Sequence, residues 1–221
     1  IWCKSLIAIN ISENSSLHTI GLRAFVDVPI QHLYFPSNLI NLETGWCDRT
    51  STLKNITVSP QNKNFKFIND QYLLGKSEIG NQTLNAFYFA RRDITTIVIP
   101  SNITKIVSYA FDKCINLRSV EFCANSELQI IGSNAFRDCV SLKTIKIPSS
   151  VKIICSESFY NCFGLKTVNF GENSQLEKIG FNSFNRCSFE TFSIPSKVTE
   201  IESSAFSYCP HLKSVKFPEK S

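Results

Sequence analysis

The stretch that decides the fold is SYAFDKCINLRSVEF, residues 108–122. Nearly the same phrase returns as SNAFRDCVSLKTIKI (133–147), SESFYNCFGLKTVNF (156–170) and SSAFSYCPHLKSVKF (203–217). Aligning the phenylalanine of each phrase gives Phe111, Phe136, Phe159, Phe184 and Phe206, at steps of 25, 23, 25 and 22 residues. Upstream, Phe25 holds the same place, and Cys47 falls 22 residues after it with Trp46 in the alanine slot. Self-similarity at a fixed period of this size marks a stack of coils that each bury one face against a neighbour.

The unit reads I-P-S-x-V-x-x-I-x-x-x-A-F-x-x-C-x-x-L-x-x-V-x-F. Its last part alternates in and out with the strand period. Proline follows directly in several copies (Pro36, Pro100, Pro148, Pro195, Pro218); it cannot donate to a ladder, so it ends the strand and opens a turn. Nine strands are predicted, at 6–11, 30–35, 53–58, 94–99, 117–122, 142–147, 165–170, 189–194 and 212–217. Connections of about a dozen residues or more make them parallel, in one continuous curved sheet. The V-x-x-I-x-x-x-A-F-x-x-C part has spacings of three and four, which predicts a short helical or 3₁₀ segment on its second half. Residues 61–92 lack the A-F-x-x-C phrase and predict a small β insert that replaces one repeat body and projects from the stack, with strands at 65–68, 72–74 and 84–89.

The phrase A-F-x-x-C-x-x-L-x-x-V-x-[FI]-P, preceded by I-P-x-x-V-x-x-I, resembles the BspA-like, or treponemal-type, leucine-rich repeat. The match runs through most of the chain and is best over 100–218; Trp46-Cys47 and Val28 depart from it. The resemblance implies an α/β leucine-rich-repeat solenoid. A curved parallel sheet lines the concave face, and short helical, 3₁₀ or extended segments form the convex one. It also implies adhesion at a cell surface, with host matrix proteins such as fibronectin or fibrinogen as partners.

Composition narrows the functional classes. The chain has 221 residues, 43% of them hydrophobic, and a formal charge of +5. That is globular rather than disordered, and no apolar run approaches the roughly 18 residues of a membrane span. The expectation is a single repeat domain over 1–221, a fragment of a longer chain, on the cell surface or secreted, with no membrane insertion by this segment; the alternative is a cytoplasmic scaffold. Lysine and arginine are spread along the sequence, densest at Arg91-Arg92, so no nucleic-acid partner is expected.

Six of the nine cysteines share one slot of the repeat: Cys3, Cys114, Cys139, Cys162, Cys187 and Cys209. Val28 and Thr50 fill that slot elsewhere. A cysteine exchangeable with valine behaves as a small hydrophobe, and side chains in register point alike rather than at one another. A ladder of buried free thiols follows. No close cysteine pair suggests zinc, and no nucleophile, phosphate-loop or metalloprotease motif occurs. No cofactor, no metal and no catalytic residue are therefore expected, and the chain is not read as an enzyme.

Recognition remains. Two outward columns are predicted on the strands. The first is Ala8, His32, Asn55, Thr96, Ser119, Thr144, Thr167, Thr191 and Ser214, largely hydroxyls that suit a strand. The second is Asn10, Tyr34, Thr57, Val98, Glu121, Lys146, Asn169, Ser193 and Lys216, which varies from rung to rung as a contact surface does. The candidate binding residues are His32, Tyr34, Thr57, Glu121, Lys146, Asn169, Ser193 and Lys216, with Tyr34 as aromatic anchor.

Overall fold

Eight of the nine predicted strands form in the computed structural model, which describes residues 3–218. They are His32–Phe35, Asn55–Val58, Thr96–Ile99, Ser119–Phe122, Thr144–Ile147, Thr167–Phe170, Thr191–Ser193 and Ser214–Lys216. All are parallel to their partners, and they pair two by two, with Ser119 opposite Thr96, Thr167 opposite Thr144, Ser214 opposite Thr191 and Asn55 opposite His32. Each partner is thus 23 positions away. Two of the breaks between pairs fall where the longer turns CANSEL and GENSQL follow a strand, so the added residues interrupt the ladder. Residues 6–11 form no strand.

The continuous sheet lies on a second file, which the sequence reading missed. Two-residue strands at Lys105–Ile106, Ile130–Ile131, Ile153–Ile154, Lys178–Ile179 and Glu200–Ile201 join one eight-stranded sheet. Its other end is an antiparallel meander, Phe65–Ile68, Tyr72–Gly75 and Ala86–Ala90, whose last strand pairs in parallel with Lys105–Ile106. The meander was expected to project. Instead it lies within the stack, with Phe65, Tyr72, Leu73, Phe87 and Phe89 buried.

No helix forms among the described residues, so the helical part of the expected α/β class is corrected to an all-β solenoid with turns. The reason is in the backbone. Two residues flank each phenylalanine slot at minus two and plus two with left-handed φ: Tyr109 and Lys113, Asn134 and Asp138, Glu157 and Asn161, Asn182 and Arg186, Ser204 and Tyr208. Arg23 and Asp27 do so around Phe25, and Gly45 and Arg49 around Cys47. Such residues break any run of i→i−4 bonds. Alternate amides close tight turns within the coil, as Ala110 N–H to Val107 O and Cys114 N–H to Phe111 O. The amides between them reach the next coil, as Phe111 N–H to Ala135 O at 2.7 Å and Lys113 N–H to Arg137 O at 2.9 Å. A left-handed non-glycine residue costs roughly 1–2 kcal/mol, and these inter-coil bonds offset it. Spacings of three and four therefore came from successive turns rather than a helix.

Inside the coil the phenylalanines stack. Phe111, Phe136, Phe159 and Phe184 are fully buried, with ring centroids 4.6, 5.1 and 5.2 Å apart and planes within 9° of parallel. Phe206 continues the file at 5.7 Å. Toward the N-terminus Phe87 joins at 4.7 Å and Tyr72 at 5.1 Å, so the meander supplies two rungs of the same ladder. Burying each phenyl contributes about 1.5–3 kcal/mol. A second aromatic cluster, Phe35, Trp46, Phe65 and Phe89, holds the N-terminal coils.

Beside the rings runs the cysteine ladder. All nine cysteines are free thiols. Four of them donate to the phenylalanine carbonyl one coil back: Cys139 to Phe111 (3.2 Å), Cys162 to Phe136 (3.0 Å), Cys187 to Phe159 (3.4 Å) and Cys209 to Phe184 (3.2 Å). A weak donor of small volume suits a slot that also holds the buried Val28. Cys3 is the exception: it is exposed.

A candidate recognition face on the long strands

The long strands carry exposed side chains outward between buried ones. Leu117, Val120 and their counterparts point in, which leaves two consecutive residues after the leucine and one after the valine facing solvent. The expected second column is in place. Thr57, Glu121, Lys146, Asn169, Ser193 and Lys216 are exposed and Tyr34 is half-buried. Register sets Tyr34 beside Thr57, Val98 beside Glu121, Lys146 beside Asn169 and Ser193 beside Lys216. Ala8 and Asn10 stand outside any strand.

Tyr34 is engaged within the protein. Its hydroxyl donates to the Glu13 carboxylate, which also accepts from Ser59 Oγ at 2.7 Å. These bonds hold the Glu13 carboxyl below its ordinary range, and the Glu13 contact raises the Tyr34 phenol. His32 Nε2 lies 2.9 Å from Thr57 Oγ1. This end of the face is thus fixed by its own contacts, whereas Lys146, Asn169, Ser193 and Lys216 keep their polar ends toward solvent.

Two shallow recesses follow the strands. One of about 900 Å³ is lined by Lys166, Thr167, Asn169, Thr191, Ser193 and His211. The other, about 800 Å³, is lined by Glu121, Asn125, Lys146, Ser149 and Glu172. Both are open and hydroxyl- or charge-lined, which suits many modest contacts.

A third outward column was missed. It comprises Lys54, Thr95, Arg118, Lys143, Lys166, Glu190 and Lys213, all exposed. Its signal was legible in the triplets LKN, LRS, LKT, LKT and LKS, since two residues between an inward leucine and an inward valine both face out. Glu190 and Lys213 pair at 3.1 Å.

The most perturbed titratable groups lie inside the stack. Arg92, half of the densest basic spot in the sequence, is buried at 3% exposure. It donates to Ala110 O (3.0 Å) and Tyr109 O (3.3 Å) and lies 4.5 Å from the Phe89 ring centroid. Cys47 and Cys114 flank it, at 3.5 and 3.9 Å; burial pushes both thiols up to about 11, against the pull of Arg92. Burial also pushes the Asp112 carboxyl up to about 6, opposed by Arg92 and by the Arg49 amide that donates to it at 2.9 Å. This cluster ties the two aromatic cores together. Among the described residues no three His, Cys, Asp or Glu gather as a metal-holding group, and no helix is long and apolar enough to cross a membrane.

Comparison places the fold. A leucine-rich cell surface protein of Faecalibacterium prausnitzii matches with a TM-score of 0.75 at 24% identity, over 99% of this chain and 55% of that one. The pneumococcal vaccine antigen PcpA matches with 0.70 at 24% identity, over 99% and 52%, and a leucine-rich repeat protein of T. pallidum with 0.58 at 24%, over 68% and 70%. The chain spans about half the length of the first two. No curated protein matches it in sequence. The family profile described as BspA type leucine-rich repeat region matches residues 2–79 and 81–213, in six copies. The matched residues take in the ring ladder, the thiol ladder and most of the long-strand face, and the chain belongs to the BspA-type leucine-rich repeat family.

Proposed function

We propose that this chain is a non-enzymatic, protein-binding ectodomain for adhesion. It would present its long-strand face to host matrix or cell-surface proteins, fibronectin and fibrinogen among them, from the cell surface or in secreted form. The observation that carries the reading is the second column, from Thr57 through Glu121, Lys146, Asn169 and Ser193 to Lys216: exposed, varied from rung to rung, and held in register by a buried stack. The names of the solved neighbours, a cell surface protein and a vaccine antigen, support it. In the same reading residues 1–221 are one repeat domain in which 61–92 replaces one repeat body. The nine free thiols favour a second reading, an intracellular scaffold of the same fold.

The test is reversal of Glu121, Lys146 and Lys216 together, read by surface binding to immobilised fibronectin and fibrinogen. Binding should fall at least about tenfold, by roughly 0.2–1 kcal/mol for each exposed pair lost and more where like charges now meet, with an unchanged melting temperature. Binding that survives this change and disappears with Lys66→Glu and Ile79→Ala would move the site to the meander, where Ile79 is 84% exposed.

A further inference from the structure

We infer that the third column of the long-strand face is a docking track for a linear sulfated polysaccharide. Arg118, Lys143 and Lys166 stand at the same position of three successive coils, all exposed. Lys143 and Lys166 precede hydrogen-bonded strands, which lie about 4.8 Å apart; Arg118 extends the row on the preceding coil, across the break in the ladder. Lys146 adds a fourth charge two columns away. Among the described residues none of the four has a carboxylate partner, while Lys178 and Lys213 do. Glu121 lies on the second column of the Arg118 coil, Glu172 lines the recess beside Lys146, and Glu190 follows Lys166 in the third column. Lys213, at the far end of the row, is neutralised by Glu190.

Three features select the partner. The row is flanked by Ser119, Thr144 and Thr167, which suit the hydroxyls and sulfates of a sugar chain. Lysine dominates, and lysine is a mobile point charge that adapts to irregularly placed anions, whereas phosphate recognition favours the arginine fork. On the other side of the row, Ile115 and Phe163 are half-exposed, at 51% and 52%, with Val140 between them. They make a narrow apolar ledge for the C–H face of a sugar ring. An extended acidic peptide repeats its same-side carboxylates every ~6.8 Å and loses register with the Lys143 and Lys166 strands about 4.8 Å apart. Single-stranded nucleic acid stacks its bases on successive aromatic platforms, and the ledge has a single phenyl. This binding mode does not depend on a protein partner at the second column.

The experiment measures binding of the whole chain to a heparin oligosaccharide of defined length, by calorimetry across a salt series. The variant is Arg118→Gln, Lys143→Gln and Lys166→Gln together. The control, Lys152→Gln, Arg186→Gln and Lys197→Gln, removes the same charge elsewhere. The row variant should bind at least about tenfold more weakly, and its log K against log salt should be shallower by about two to three, whereas the control should stay within about twofold. Equal losses in both variants would reduce the effect to net charge and overturn the assignment. So would equal binding of desulfated heparin, or tighter binding of single-stranded DNA or polyglutamate than of heparin.

Discussion

Replacing Phe159 with alanine tests the feature on which the whole stack depends. Phe159 is fully buried, between Phe136 at 5.1 Å and Phe184 at 5.2 Å, its plane within 5° of both. Truncating such a ring costs about 3–5 kcal/mol, of which each stacked neighbour accounts for about 0.5–1.5 kcal/mol. Phe206, in the same slot of the last coil, is only half-buried and meets one ring of the ladder face to face, at 5.7 Å. Its truncation should cost about 1–2 kcal/mol, around the lower limit of the range for full burial. Urea unfolding followed by far-ultraviolet circular dichroism gives the comparison. With a slope of about 2–3 kcal/mol per molar, Phe159→Ala should move the midpoint down by at least about 1 M, and Phe206→Ala by about half as much. Phe159→Leu, which keeps most of the apolar volume and loses the ring contacts, should fall between wild type and Phe159→Ala. Tryptophan fluorescence adds a second readout, because Trp46 lies in the N-terminal cluster. In a linear stack each coil is stabilised by its neighbours, so a loss at Phe159 should reach Trp46 only through the intervening coils, by way of the Phe87–Phe111 contact and the Arg92 cluster, and should shift that transition less. Equal costs at Phe159 and Phe206, or a cost under about 1 kcal/mol at Phe159, would refute the claim that the ring file holds the coils together.

The thiol ladder predicts selective labelling: the thiolate is the reactive form, and burial raises Cys114, Cys139, Cys162 and Cys187. Native protein treated with iodoacetamide near pH 8 should therefore be modified first at the exposed Cys3 and Cys123, and peptide mapping that finds Cys162 labelled as fast would contradict the burial. Asp112 predicts an inverted pH dependence. Its folded pKa of about 6 lies above the ordinary carboxylate value of about 3.9, so between those limits the folded state holds a proton that the unfolded chain has released. Stability from this group is then present below pH 4 and lost as pH rises through 6. Chemical denaturation should show a decline on the order of 3 kcal/mol across that window, and Asp112→Asn should flatten it; a variant with the same slope as wild type would remove Asp112 as the cause.

What the sequence made legible were the contacts that repeat with the coil. Phe111, Phe136, Phe159, Phe184 and Phe206 were aligned by period alone and form one file, because a ring buried between coils must recur once in each. The exchange of cysteine with Val28 marked the thiol slot for the same reason. The turns were misread because spacings of three and four encode burial on one side without encoding the path between. A helix and a chain of tight turns both return a side chain inward after three or four residues. They differ in which amides reach the neighbouring coil, a choice made by left-handed residues as varied as Tyr109, Glu157 and Arg186, which carry no common sequence mark. The meander was misplaced for a related reason: Ala86-Phe87 lies in period, 24 residues before Phe111, but Ala90 stands where the phrase has cysteine, so matching the whole phrase passed over a residue that stacks on Phe111 at 4.7 Å. The outward columns followed from the inward ones only where the strand alternates strictly. Between Leu117 and Val120 two residues face solvent, and counting by twos kept Ser119 and discarded Arg118. The row of unpaired cations at Arg118, Lys143 and Lys166 is thus visible once inward positions are fixed by burial rather than by parity, and the same reasoning applies to any coil in which a leucine and a valine three apart both point into the core.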